Sequence, residues 1–337
     1  MSFLPKPLNK TLNSFSILTF TLRRFTSHSA AAVKPFPDNP TSAYYDELST
    51  AAGNSGDLDS LRDILNKRIQ DRCYNTKSTF KFITNTSSLD DLIRTLSNLN
   101  PGFTRNSAFN SLITRLCRLD RVDDALRVVD AMSRDAHCSI TACTFYPIIN
   151  LLTREKSMDH AQRVVELMSR LGVRRDLTVH NLFLMAHCFA GDMAAAAEVL
   201  REMEEEDGLV GDTRTFDALV MGACKIGKVE GAMVLVRRMV NDGVLMLYST
   251  HMHVIGALLE KGCIEQAVKY VKCFGGKDKV LDAELYGCLG SKLSVMKNVE
   301  EAMKVLEEMK QKGLTMGDKL KRYYERNVGK VAKKMVD

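Results

Sequence analysis

The stretch NSLITRLCRLDRVDDALRVVDAM, residues 110–132, holds two helical stripes separated by a break. With the residue before it, Phe109, Leu112, Ile113 and Leu116 follow the i, i+3, i+4, i+7 spacing that lines one helix face. Leu119-Asp120-Arg121 interrupts the pattern, and Val122, Ala125, Leu126, Val129 and Met132 make a second stripe. Working outward, Ala125 recurs as Ala161, Ala196, Ala232, Ala267 and Ala302, at steps of 36, 35, 36, 35 and 35. The long apolar residue seven positions on keeps the same steps, through Met132, Met168, Met203, Met239, Phe274 and Met309. Cys117, Cys188 and Cys224 hold an equivalent place ahead of the Ala. Two ladders with one period mark a repeat architecture. Gly191, Gly227 and Gly262 fall in the break, and Gly172, Gly243 and Gly313 fall at the unit end, where glycine suits a helix C-cap.

The predicted fold is all-α: a right-handed α-solenoid of helix–turn–helix repeats with a 35–36-residue period. A small Ala lets the two helices of a pair cross closely. The Met or Phe fills the gap against the next unit. One hairpin cannot bury its own apolar face, so the core runs as a ribbon through the stack. The units are drawn at 106–141, 142–176, 177–212, 213–247, 248–282 and 283–317. Two degenerate units occupy 42–105, the first at 42–76 and a shortened one at 77–105. The tail 318–337 reads as a basic capping helix with Leu320, Tyr323 or Tyr324, and Val328 inward.

The chain has 337 residues, 45% of them apolar and 26% charged, with 17 Met, 7 Pro and no Trp. That composition excludes wholesale disorder and suits packed helices. No apolar run approaches the roughly 20 residues that span a bilayer. The net charge of +6 sits at the ends: residues 1–37 carry five Lys/Arg and no acid, while 310–337 carry nine against three acids. The middle is therefore mildly acidic, a weak advertisement for nucleic acid. Within 1–37, Leu8, Leu12, Phe15, Leu18, Leu22 and Phe25 share one helical stripe. An acid-free, basic, amphipathic start has the composition of an organelle transit peptide. Arg23-Arg24-Phe25-Thr26-Ser27 resembles a mitochondrial presequence cleavage region. The expected location is the mitochondrial matrix, with the plastid as the alternative.

Asn110-Ser111-Leu112-Ile113, Leu116-Cys117-Arg118, Asp123-Asp124-Ala125 and Met132 resemble the pentatricopeptide repeat consensus. So do Phe216 through Leu219, Cys224-Lys225-Ile226-Gly227-Lys228 and the second-helix run from Glu300 to Lys310. The 34-residue tetratricopeptide pattern is the rival, and the Cys-Lys/Arg step and the longer period favour the former. The resemblance is to the P-class, plant-organelle type, and covers 42–317. It implies an RNA-binding solenoid whose first helices line the concave face. Each base is met by the fifth and the last residue of a unit, through edge hydrogen bonds on single-stranded RNA.

Carried over, the pairs are Asn110/Thr141, Tyr146/Asp176, Asn181/Asp212, Asp217/Leu247, Met252/Asp282 and Gly287/Gly317. Asn181/Asp212 matches a family pairing that favours uracil, and Asn110/Thr141 is half a match. Asp217 would repel phosphate, and Met252 and Gly287 offer nothing to a base edge. The second positions, Ser107, Cys143, Thr178, Arg214, Ser249 and Glu284, lack the family's aliphatic residue. Arg118, Arg154 and Lys225 place cations at first-helix ends; Phe189, Glu260 and Val295 stand at the matching sites. The tail's Lys319, Lys321, Arg322, Arg326, Lys330, Lys333 and Lys334 suit non-specific phosphate contact.

The resemblance implies a non-catalytic binder of single-stranded organelle RNA, in processing, stability or translation. The alternative is a protein-docking scaffold or a peripheral piece of the mitochondrial ribosome. No metal, cofactor or small-molecule substrate is expected. The nine Cys include no Cys-x-x-Cys, the close pair that zinc sites need. His251 and His253 point to different helix faces. The His-x-Glu and Pro-Cys-x-x-Cys pair of cytidine deaminases and the phosphate-loop motif are missing.

Overall fold

The chain is described by a computed structural model at residues 40–85, 87, 89–276 and 278–334, with side chains to Val328. The targeting segment 1–37 lies outside these residues, as do the side chains of Lys330, Lys333 and Lys334. The described regular structure is helical throughout, in a unit that begins at Thr41. No described helix is long and apolar enough to cross a membrane.

Helices alternate between two roles. The first helices are α1 (Ser42–Ser55), α4 (Phe103–Arg118), α6 (Ala142–Arg154), α8 (Leu177–Ala190), α10 (Thr213–Lys225), α12 (Tyr248–Glu260) and α14 (Lys279–Val295). Their partners are α2 (Leu58–Gln70), α5 (Val122–Arg134), α7 (Met158–Arg170), α9 (Met193–Arg201), α11 (Val229–Asn241), α13 (Ile264–Phe274) and α15 (Val299–Gln311). A short α3 (Asp90–Ser97) lies between α2 and α4, and α16 (Asp318–Lys334) closes the chain. From α4 to α14 each first helix packs on the next, so they form one continuous row.

Each of the six ladder alanines has no exposed surface, and five of the six long residues are buried with them. Burying one Met side chain stabilises by roughly 1.5–3 kcal/mol. Phe274 is the exception: it is half-buried, with its ring centroid 5.1 Å from His251 and 4.7 Å from Tyr270. Cys117, Cys188 and Cys224 are buried, and burial pushes each thiol up to about 12.

A third ladder passes through the residue before each unit's fifth position: Phe109, Phe145, His180, Phe216, His251 and Tyr286, all buried. Where histidine or tyrosine replaces phenylalanine, a second helix or the turn after it supplies a polar partner. His180 Nε2 lies 2.6 Å from Asp207, His251 Nδ1 lies 2.9 Å from the Tyr270 hydroxyl, and Tyr286 donates to Glu308 at 2.7 Å. A buried polar atom without such a partner costs roughly 1–3 kcal/mol. Burial alone pushes the His251 pKa down, so the ring is held neutral.

Of the two 36-residue steps, the one from Ala196 to Ala232 has a local cause. Val173, Val244 and Leu314 each donate a backbone N–H to the Met five residues back, beside a glycine at positive φ. In the unit 177–212 the donor is Leu209, six residues beyond Met203, at 2.9 Å. The extra residue is taken up by a π-turn at Glu202–Glu206. The core positions on both sides keep their register.

Among its described residues the second degenerate unit has one helix of its own, α3. The run 75–88 is rich in Ser, Thr and Asn, whose side chains compete for backbone hydrogen bonds and disfavour helix interiors. The described residues of this run form turns whose carbonyls are met by arginines of the following unit. Arg115 donates to Lys81 and Ile83, Arg118 to Lys77 at 3.0 Å, and Arg121 to Thr84 and Ser87. Phe80 and Ile83 are buried, and Phe82 lies against Gly53 of α1. The first hairpin is tied by the fully buried Arg68, which donates to Asp46 at 2.8 Å and Thr79 at 2.9 Å.

α14 begins four residues ahead of the unit drawn at 283, because Asp278 caps it through the Val280 amide at 2.9 Å. Asp282 is then inside the helix, buried, and accepts the Gly276 N–H at 2.8 Å, so Met252/Asp282 is not a presented pair. At the tail, Leu320, Tyr323 and Tyr324 pack on the last hairpin. Val328 is 44% exposed rather than inward, and Asn327 is buried in its place, donating to the Tyr323 carbonyl at 2.8 Å.

Two stability changes follow. A Cβ on Gly53 would sit 2.3 Å from the Phe82 ring. Gly53→Ala should therefore lower stability by about 1–2 kcal/mol, because overpacking outweighs the gain in helix propensity. A higher melting temperature would show that the segment does not dock there. Lys297 holds φ 60 at a break where, of the other units from 106 to 282, three have glycine and two have Asp120 or Lys156. Lys297→Gly should leave stability unchanged or raise it by up to about 1 kcal/mol in a denaturant titration.

Candidate nucleic-acid interface

The row of first helices carries the fifth-position side chains, and the unit-end residues sit at the helix starts that follow. Thr141, Asp176, Asp212 and Leu247 are the N-cap residues of α6, α8, α10 and α12. Fifth and last residues therefore meet across adjoining hairpins. Asn181 Nδ2 donates to Asp212 Oδ1 at 3.1 Å, and Asn181 Oδ1 accepts from the Thr215 hydroxyl at 2.7 Å. Asp212 Oδ1 also accepts the Arg214 and Thr215 amides, both at 2.9 Å. These bonds all use Oδ1, so among the described residues Oδ2 and one Asn181 amide hydrogen are left for a ligand. Burial pushes the Asp212 pKa up, but the bonds from Thr215, Asn181 and Arg214 outweigh it and hold the carboxyl below its usual range.

The Tyr146 hydroxyl donates to Asp176, whose other oxygen accepts the Val179 amide at 3.1 Å. Burial, then the bond to Asp176, pushes the Tyr146 pKa above the usual phenol range, so it stays protonated. Asp217 turns to the next unit and accepts from Ser249 at 3.0 Å and Thr250 at 2.6 Å. Asn110 and Thr141 are not joined by a hydrogen bond among the described residues; the Asn110 Oδ1 is buried without a partner.

The expected cations line two adjoining grooves across the ends of these helices. A groove of about 720 Å³ between α4, α6 and α8 brings Tyr146 together with Arg118 and Arg154. A second, about 530 Å³, brings Arg154 together with Lys225 and Phe189. Arg118 is partly committed, through its bond to the Lys77 carbonyl. Lys225 donates to the Phe189 carbonyl, and its ammonium lies 5.7 Å from the Phe189 ring centroid. Lys319, Lys321, Arg322 and Arg326 are exposed on α16. The sequence pattern marked Phe189 only as a missing cation; its exposure beside Lys225 is visible in three dimensions alone. Among the described residues no group of three His, Cys, Asp or Glu side chains is placed to hold a metal ion.

The Asp212 bonds set a pH dependence. A carboxylate whose folded pKa lies below its unfolded value stabilises the fold above about pH 4, and that contribution is lost as pH falls through the lowered value. Asp212→Asn should flatten the acid limb of a stability-against-pH curve. Asp212→Ala should cost about 1 kcal/mol near neutrality through the lost helix cap. An unchanged acid limb in Asp212→Asn would show that the carboxylate is not so held.

A model described as pentatricopeptide repeat-containing protein matches residues 90–203, and models described as PPR repeat match 207–240 and 284–314. The chain is 44% identical over 338 aligned positions to the Arabidopsis thaliana pentatricopeptide repeat-containing protein At3g56030, mitochondrial, covering 97% of this chain and 95% of that one. It is 45% identical to the Arabidopsis thaliana relative At2g40240, mitochondrial, covering 94% and 90%. A solved structure of the pentatricopeptide repeat protein PPR10 in complex with an 18-nt psaJ RNA element aligns at 17% identity and a TM-score of 0.48, over 83% of this chain and 40% of that one. With identity held over nearly its whole length, this all-α repeat chain belongs to the pentatricopeptide repeat family and, like those two relatives, is mitochondrial.

Proposed function

We propose that the chain is a non-catalytic, single-stranded RNA-binding repeat protein acting in mitochondrial RNA processing, stability or translation. The observation that carries this reading is the Asn181–Asp212 pair, held across two hairpins at 3.1 Å with one carboxylate oxygen and one amide hydrogen not used in bonds among the described residues. Those two groups complement the N3–H donor and a carbonyl acceptor of uracil. Arg118, Arg154 and Lys225 lie along the same row, where a phosphate backbone would pass. Tyr146/Asp176 presents acceptors and suits a donor-bearing base edge. Asp217, tied to Ser249 and Thr250, takes the role of a spacer between hairpins.

A second reading is a protein-docking scaffold, or a peripheral component of the mitochondrial ribosome. It draws on Val210, Leu245 and Val280, which are 82%, 81% and 68% exposed at 35-residue steps, the first two on unit-joining turns and the third in the first turn of α14. There the basic tail would contribute the phosphate contacts.

Replacing Asn181 and Asp212 together by Ala should weaken binding to uridine-containing RNA on the order of 10-fold and reduce the preference for uridine. Equal affinity of wild type and double variant for every RNA tested would refute the residue assignment. Charge reversal at Lys319, Lys321, Arg322 and Arg326 separates the readings: release from a ribosomal particle with RNA affinity unchanged supports the scaffold.

A further inference from the structure

We propose that the groove across the C-terminal ends of α6, α8 and α10 is a stacking site for one unpaired RNA base, held on Phe189, with its flanking phosphates on Arg154, Lys156 and Lys225. The inference rests on the RNA-binding reading above and adds to it a contact of a different kind, indifferent to base identity.

Three observations converge. Phe189 is 56% exposed at the end of α8, and the groove of about 530 Å³ opens beside it, floored by Leu182 and Met185. An exposed aromatic ring on an apolar floor gives a flat base a surface to cover, and every base has a π-face that fits it. The charge is one-sided: Arg154, Lys156 and Lys225 line this groove and no acid does, although the middle of the chain is net acidic. The neighbouring groove, by contrast, includes Glu155. Finally, Lys225 is fixed rather than free. Its ammonium donates to the Phe189 carbonyl and lies 5.7 Å from the ring, so cation and ring form one assembled unit. A nucleotide matches this combination of flat apolar surface and clustered positive charge.

The position also fits the pair-reading site. Asn181 and Phe189 lie on the same helix eight residues apart, about 12 Å along its axis. One strand could engage both: an edge read at Asn181/Asp212, and a neighbouring base stacked without being read.

The test uses the full chain in fluorescence anisotropy with labelled oligo(U), oligo(A) and oligo(C). Phe189→Ala should weaken all three on the order of 10-fold, while Phe189→Trp keeps wild-type affinity. Far-UV circular dichroism and melting of each variant establish that it is folded, which the exposure of Phe189 favours. Ultraviolet crosslinking should then place RNA on the peptide containing Met185 and Phe189. Wild-type affinity in folded Phe189→Ala overturns the stacking site and leaves the RNA-binding reading standing. Wild-type protein that binds none of the three, nor any mitochondrial RNA, overturns both. Loss of a co-purifying protein in Phe189→Ala, with RNA affinity unchanged, assigns the groove to a protein partner and overturns the proposal.

Discussion

Everything in this molecule depends on each helical hairpin burying its apolar face against the next one. The fully buried alanines make this possible, because they let the paired helices approach until the long residue seven positions on reaches the adjoining unit. Position in the repeat therefore decides what a side chain touches. The aromatic ladder from Phe109 to Tyr286 sets the residue after it at a constant place on the first-helix row. Where the ladder carries His180 or His251, Asp207 or Tyr270 supplies the polar partner that the burial demands.

The candidate interface inherits this order. Its side chains are bonded to one another in the unliganded chain: Tyr146 to Asp176, Asn181 to Asp212 and Thr215, Asp217 to Ser249 and Thr250. Such bonds fix rotamers ahead of binding and reduce the entropy a ligand must remove. They also spend hydrogen-bonding capacity. Asn181 and Asp212 each keep one group unused among the described residues, whereas one Asp217 oxygen already serves two hydroxyls. The middle of the chain is net acidic, so cations on this row act where they stand, as Arg154 and Lys225 do at their shared groove.

The architecture was legible in the sequence because the Ala and Met/Phe ladders are nearly invariant in type and spacing. The aromatic ladder was hidden, since two histidines broke its composition and only their partners, 19 and 27 residues away, restore its meaning. The early start of α14 was hidden in a similar way: Asp278 and Asp282 are both plausible caps, and burial of the second decides between them. Val328 followed the helical stripe of α16, but the final hairpin ends before it and leaves that position to water. At the candidate site, the Asn181–Asp212 pair was legible through the family resemblance. The commitment of Arg118 to the Lys77 carbonyl was not, because it depends on a unit that has lost one of its helices.

The π-turn at Glu202–Glu206 has a wider consequence. The extra residue bulges out on a second helix, while the row that holds Asn181 and Asp217 continues from α8 to α10 without a gap. A ruler built this way counts hairpins, not amino acids. Its divisions stay evenly cut even where the chain between two of them has grown longer.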